Sequence, residues 1–318
     1  MSFAAPSSRP QFDPTVVHPP LAQLRGFVIA QDWAGVADVF AQLQDEDQKA
    51  SAAGVVGRTA GSEHFLRQTA DRLPSETLPR VLLADRLIAQ GAEIRTAARA
   101  KDVSREQFDA FHDHLRRAEA LLIDVCAMEP GNALAWLLRI TTALGLQLGR
   151  SETRRRYDRL AEHHPDHWAA EGALLQQLCP KWGGSWEAAF AFARECAAAA
   201  PPGSPCHTLI AQVHLERWLD LGGREGAAYL SSPGVRAELQ AAAASSVFHP
   251  RFRAGFHWVS AHGYFAAVHS LAGNHADAAP HFRALGDRAT EHPWDYLGDP
   301  EAEFVRHRKT ALAQGREG

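Results

Sequence analysis

The sequence predicts an all-α protein, a right-handed superhelix of antiparallel helical hairpins. Three observations predict it. From Leu21 onward apolar residues recur every three or four positions almost without interruption. No stretch alternates apolar and polar residues or gathers β-branched ones as a strand would, and the Asn-Gly and Asp-Gly dipeptides of tight hairpins are missing. From about residue 117, a hairpin-length pattern ending in proline recurs.

The chain opens with Pro6, Pro10, Pro14, Pro19 and Pro20 among polar residues. This predicts a flexible Pro-rich arm over 1–18, with Phe3, Phe12, Val16 and Val17 as its only docking points. Helix then begins at Leu21, with Leu24, Phe27, Val28 and Ile29 on successive turns. Asp32 is placed to cap a second helix that carries Val36, Val39, Phe40 and Leu43. A polar helix follows over 45–56. Gly61-Ser62 stops it, and Ser62 is expected to cap the helix over 63–71. Pro74-Ser75-Glu76 opens a helix with the core stripe Val81, Leu82, Leu83, Leu87 and Ile88, expected to end at Gly91. The Ala- and Arg-rich run 92–101 reads as helix, and Ser104 with Gln107 forms a capping box for the next.

Self-similarity appears from about residue 117. Ala118, Leu122, Val125 and Pro130 are offset by four, three and five residues, and Thr153, Tyr157, Leu160 and Pro165 repeat those offsets. So do Ala189, Ala193, Cys196 and Pro201; Ala278, Phe282, Leu285 and the late Pro293 nearly do. Successive prolines at 130, 165 and 201 are 35 and 36 residues apart. Trp136 and Trp168 follow their prolines at the start of the next helix. Small residues let the helices of a pair approach, larger ones fill the gap to the next pair, and proline forces the turn.

On these residues the chain resembles tetratricopeptide-repeat proteins, whose period is about 34 residues, over 117–293. Asn132-Ala133-Leu134-Ala135-Trp136, Pro180-Lys181-Trp182-Gly183-Gly184-Ser185 and Phe190-Ala191-Phe192-Ala193-Arg194 together look like a group of uncharacterised bacterial tetratricopeptide-like proteins, a domain of unknown function. The resemblance implies a solenoid of degenerate repeats and brings no activity with it.

The rest continues in helices. One is expected over 206–221, broken at Gly222-Gly223; a second, Ala-rich, over 233–246; then a pair over 252–271 and 277–288, joined at Gly273-Asn274. A last helix over 301–313 is read as the cap that a solenoid requires. The expected organisation is a single helical-repeat domain over 19–313 with a flexible tail at 314–318.

Composition narrows the function classes. Hydrophobic residues make up 46% and charged ones 22%, an ordinary globular balance, and the net charge of −4 favours neither nucleic acid nor an anionic membrane. The start of the chain has no signal-peptide pattern, and no apolar run approaches a membrane span, so a cytoplasmic location is expected. Cys126, Cys179, Cys196 and Cys206 show no C-x-x-C spacing and fit free thiols better than a disulfide framework. No cofactor is expected, because nucleophile-elbow, Walker, Rossmann, zincin and kinase patterns are all missing.

Several clusters carry groups capable of chemistry. His163, His164 and His167 flank Pro165 with Glu162 and Asp166, on a turn rather than one helix face, so a solvated helix end is preferred to a metal site. His262 and His269 share a face with Trp258 and Phe265 and are expected inside. Arg154-Arg155-Arg156 spreads around a helix as a solvated surface. Asp45-Glu46-Asp47 is placed in an exposed polar turn.

The function expected is a protein-interaction module that binds a peptide or protein partner on a concave helical surface. Leu134, Leu137, Thr141 and Leu144 would line it in one repeat, and Asp166, Ala169, Ala173 and Gln176 in the next. Lys181 and Trp182 are further candidates. They sit in a turn about five residues longer than the motif's, which Pro180 opens, Gly183-Gly184 reverse and Ser185 caps. Lys181, one of four lysines, either covers helix-end carbonyls or meets a partner's carboxylate. Two alternatives stand: an enzyme or metal- or cofactor-dependent accessory protein with a pocket formed by His163, His167, Glu171 and Lys181, or a subunit that oligomerises through the Ala-rich helix over 237–246.

Overall fold

Helices form where the apolar spacing places them. The computed structural model describes residues 9–96 and 102–315. Among these there are 18 α-helices and no strand beyond the isolated pairing of Gln11 with Arg288. The short α1 (Pro14–Val17) is followed by α2 (Pro19–Ile29), α3 (Trp33–Gln42), α4 (Glu46–Arg58), α5 (Ser62–Arg72) and α6 (Leu78–Arg95). Next come α7 (Arg105–Met128), α8 (Ala133–Gly145), α9 (Arg150–Ala161), α10 (Trp168–Leu178), α11 (Trp186–Ala199) and α12 (Leu209–Leu221). The last six are α13 (Gly223–Leu230), α14 (Pro233–Ser245), α15 (Trp258–Leu271), α16 (His275–Leu285), α17 (Glu291–Trp294) and α18 (Pro300–Gln314).

Side-chain caps open six of the helices. Asp32, Asp45, Asn132, Ser185 and Asp299 each accept a hydrogen bond from a backbone N–H three residues on. Ser104 and Gln107 form the reciprocal box. Several expectations fail. Pro74-Ser75-Glu76 forms a turn before α6, the helix expected from 252 begins only at Trp258, and α13 occupies a stretch for which no helix was expected. Ser62 is not a cap: Gly61, at φ 78°, precedes the helix, and the buried Ser62 hydroxyl turns back to the Val56 carbonyl. Gly91 does not end α6. It lies in mid-helix against α7, where an added Cβ would come within 3.1 Å of Phe111 and His114, so the glycine serves close packing rather than termination. The part of the run 92–101 beyond Thr96 falls outside the described residues.

The chain divides into two compact units, one of residues 18–177 and one of 1–17 with 178–318, where the sequence predicts a single domain over 19–313. In the first unit α6 packs on α4, α5 and α7, α7 on α8, and α8 on α9. The repeat positions Ala118, Leu122, Val125, Thr153 and Leu160 are all buried there. The arginine run is not a uniformly solvated surface. Arg154 and Arg155 pair on the surface with Asp158 and Glu152, but Arg156 is buried and binds Glu119, Glu152, Thr142 and the Arg139 carbonyl. A guanidinium offers five donors, enough to satisfy that many buried acceptors at once.

In the second unit α11 packs on α12, α12 on α13 and α15, and α15 on α16, which meets α18. Ala189, Ala193, Cys196, Ala278, Phe282 and Leu285 are buried. Phe282, Trp294 and Phe304 meet in one apolar cluster. The described part of the proline-rich arm is ordered against this cluster. Gln11 exchanges backbone hydrogen bonds with Asp287 and Ala289, Arg9 pairs with Glu301, and Phe12 and Val17 pack on the apolar residues. A few backbone bonds and two apolar anchors are enough to hold it. Phe3 and the remainder of 1–8 lie outside the described residues, as do 316–318 of the expected tail. All four cysteines are buried free thiols. No helix among the described residues is long and apolar enough to cross a membrane.

Candidate functional site

Four helices of the 18–177 unit surround an open cavity of about 320 Å³. α4 presents Asp47, Ser51, Gly54 and Arg58 to it, spaced so that they share one face. α8 contributes Leu134, Leu137, Leu138 and Thr141 at the same helical spacing. Trp168, Ala169 and Ala173 of α10 complete the wall, and Asp85 reaches it from α6. Small side chains on α4 and α10 keep the space open. A second depression of about 420 Å³, lined by parts of α3, α4, α6 and α8, shares Leu134 with the first. Its polar groups are matched: Glu46 with Lys49, Glu129 with Thr77 and Asn132, His164 with the Gly131 carbonyl.

Two carboxylates face the first cavity and differ in their surroundings. Asp47, expected in an exposed turn, is largely buried and fully engaged. Its Oδ1 is 2.9 Å from His167 Nδ1, and its oxygens accept the N–H groups of Trp168 and Ala169 at 3.3 Å, capping α10 from another helix. Asp85 interrupts the apolar stripe of α6. One oxygen lies so close to Gly57 that a Cβ there would sit 2.9 Å away. Burial pushes its carboxyl up to about 6, and the nearby Arg58 guanidinium only partly opposes this.

Of the lining residues expected from the sequence, Leu134, Leu137, Thr141, Ala169 and Ala173 meet at this cavity. Leu144, Asp166 and Gln176 are not among its walls. Asp166 holds a left-handed turn, φ 59°, before α10. The sequence does not single out Asp47, Arg58 or Asp85 as lining residues. The available signal was an Asp-Arg pair, Asp85-Arg86, set inside the apolar run of α6.

The turn at 178–187 has the predicted construction. Pro180 begins a single 3-10 turn, Gly183 has φ 80°, and Ser185 accepts from Ala188 N–H. Gly184 is required by contact: a Cβ would fall 1.9 Å from the Leu178 carbonyl oxygen. Lys181 pairs with a buried carboxylate of its own unit, and among the described residues no helix-end carbonyl reaches it. Its ammonium is 2.7 Å from Glu216 Oε2, and Tyr296 OH donates to Glu216 Oε1 at 2.8 Å. Trp182 is 38% exposed beside it. Trp186 donates to Asp220 under the Arg217 guanidinium.

The histidines separate in the same way. His163 is exposed, His164 binds the Gly131 carbonyl, and His167 is buried against Asp47, so the three do not act as one group. Glu171 is buried in α10. His262 and His269 are buried as expected, and both meet His281, whose Nδ1 is 3.1 Å from that of His262. Among the described residues no group of three or more His, Cys, Asp or Glu side chains is placed to hold a metal ion.

Fold and cavity together define an all-helical protein with a helix-walled depression, part apolar and part anionic. No family model matches the chain, and no curated protein matches it.

Proposed function

We propose that the chain is a protein-interaction module of tetratricopeptide-like, superhelically stacked hairpins, and that its 18–177 unit receives a peptide or protein segment in the depression walled by α4, α6, α8 and α10. One observation carries the reading: five residues that the repeat register marks as groove-lining, Leu134, Leu137, Thr141, Ala169 and Ala173, line a single open cavity. Groove binding of extended or helical segments needs such a surface, apolar along its walls with a few polar groups to fix register. Four buried free thiols suit a reducing cytoplasm.

A photo-crosslinking amino acid at Thr141 tests the reading. Irradiation in the native host should give discrete adducts that disappear when Ala173→Trp fills the cavity. The same adducts from a crosslinker at the exposed Leu219, or adducts insensitive to Ala173→Trp, would sink it.

A further inference from the structure

The cavity holds a polar inventory of one kind. Ser51 Oγ donates to the Asp47 carbonyl at 2.9 Å and Thr141 Oγ1 to the Leu137 carbonyl at 3.3 Å. With their protons committed, both hydroxyls can only accept from an occupant. Asp85 adds an acceptor that the fold does not use. Asp47 on the same wall is taken up by His167 and the α10 N–H groups, whereas no hydrogen bond or ion pair among the described residues reaches the Asp85 carboxylate, which feels only the field of Arg58. Leaving a half-buried carboxylate without donors costs stability. Around these acceptors the walls are apolar: Leu134, Leu137, Leu138 and Trp168.

An occupant that satisfies this arrangement has donors at its tip and an apolar stem behind them. Resting on the groove reading above, we propose that the cavity seats one basic side chain, lysine or arginine, of the bound segment. The cationic head lies on Asp85, Ser51 and Thr141, and the methylene stem lies against Leu137 and Trp168. An ammonium carries three donors and a guanidinium five, and neither accepts. A long aliphatic stem with a charged head is the shape that buries apolar length while keeping its charge paired. Arg58 at the rim disfavours a second positive charge beside the first, so the groove selects an isolated basic residue rather than a basic run.

The test uses the full chain and a random dodecapeptide display library, retaining peptides that bind the wild type but not the Ala173→Trp protein. The retained peptides should share one lysine or arginine. Replacing it with norleucine should weaken binding to the wild type at least tenfold and to the Asp85→Asn protein less than twofold. Interchanging lysine and arginine at that position tells which head is preferred. If norleucine binds the wild type within twofold of the basic residue, the cation inference falls while the groove reading stands. If no peptide distinguishes the wild type from Ala173→Trp, the groove reading falls and the inference with it. The norleucine comparison is made on wild-type protein, and a wild-type-like circular dichroism spectrum and melting curve of the Ala173→Trp protein ensure that peptides are selected against the filled cavity and not against an unfolded chain.

Discussion

Glu216 is 3% exposed, with Lys181 on one oxygen and Tyr296 on the other. A buried carboxylate deprived of its cation is left with an uncompensated charge. Lys181→Met should therefore destabilise the unit of residues 178–318 by about 1–3 kcal/mol in urea unfolding. Adding Glu216→Gln should recover much of that loss, because charge and counter-charge then leave together. Equal unfolding of the single and double variants would show that the pair contributes no coupling. Asp85 is the opposite case, a carboxylate the fold supports poorly. Asp85→Asn should raise the stability of the 18–177 unit at neutral pH by on the order of 1–2 kcal/mol. A fall in stability of that size would mean that Asp85 has a structural partner. Neither role was legible from residue type. Lys181 stood out by rarity and Asp85 did not stand out at all; the distance to Glu216, and the lack of donors around Asp85 among the described residues, are properties of the packed chain.

At the scale of elements, adjacent glycines do different work. Gly183 needs its backbone angle, φ 80°, with nothing within 4 Å of an added Cβ; Gly184 needs the space that a Cβ would take from the Leu178 carbonyl. Gly183→Ala should cost about 1–2 kcal/mol, the left-handed penalty for an L residue. Gly184→Ala should cost roughly 3 kcal/mol, since backbone on both sides must shift. Reversal of that order in chemical unfolding would contradict the turn as described. The turn was readable in advance because proline, glycine pair and serine cap act through local backbone geometry. Gly91 was not, for the complementary reason. A glycine that ends a helix and one that admits a neighbour look the same in sequence, and only the approach of α7 at Phe111 and His114 separates them.

For the whole molecule, buried groups in the two units should respond in opposite directions between pH 7 and pH 5. In the second unit, burial pulls the imidazoles of His262 and His269 down to about 4, and that of His281 well below its ordinary 6.5. The unfolded chain takes up these protons near pH 6.5, whereas the folded unit takes up those of His262 and His269 only near 4 and resists protonation of His281 as well, so stability is full above 6.5 and is lost as the pH falls below it. In the first unit Asp85 protonates near 6 when folded and near 3.8 when unfolded, so its penalty is relieved as the pH falls below 6. Hydrogen exchange followed by segment, corrected for intrinsic rates, should show protection of α15 and α16 falling by more than about 1 kcal/mol from pH 7 to pH 5. Protection around Asp85 should hold or rise. Parallel loss in both units would refute the assignment.

The sequence by itself determined most of the helices, several of their caps, the buried faces at positions such as Ala118, Leu122, Ala189 and Phe282, and five walls of the cavity. These follow from periodicity and from backbone preferences that act within a few residues. Only the tertiary structure decided that residues 9–17 dock on the 287–301 segment, that His281 joins His262 and His269, that Asp47 caps α10, and that Lys181 belongs to Glu216. Each of these depends on groups far apart in the chain, where partner choice is set by distance and desolvation in the packed state and leaves no local mark.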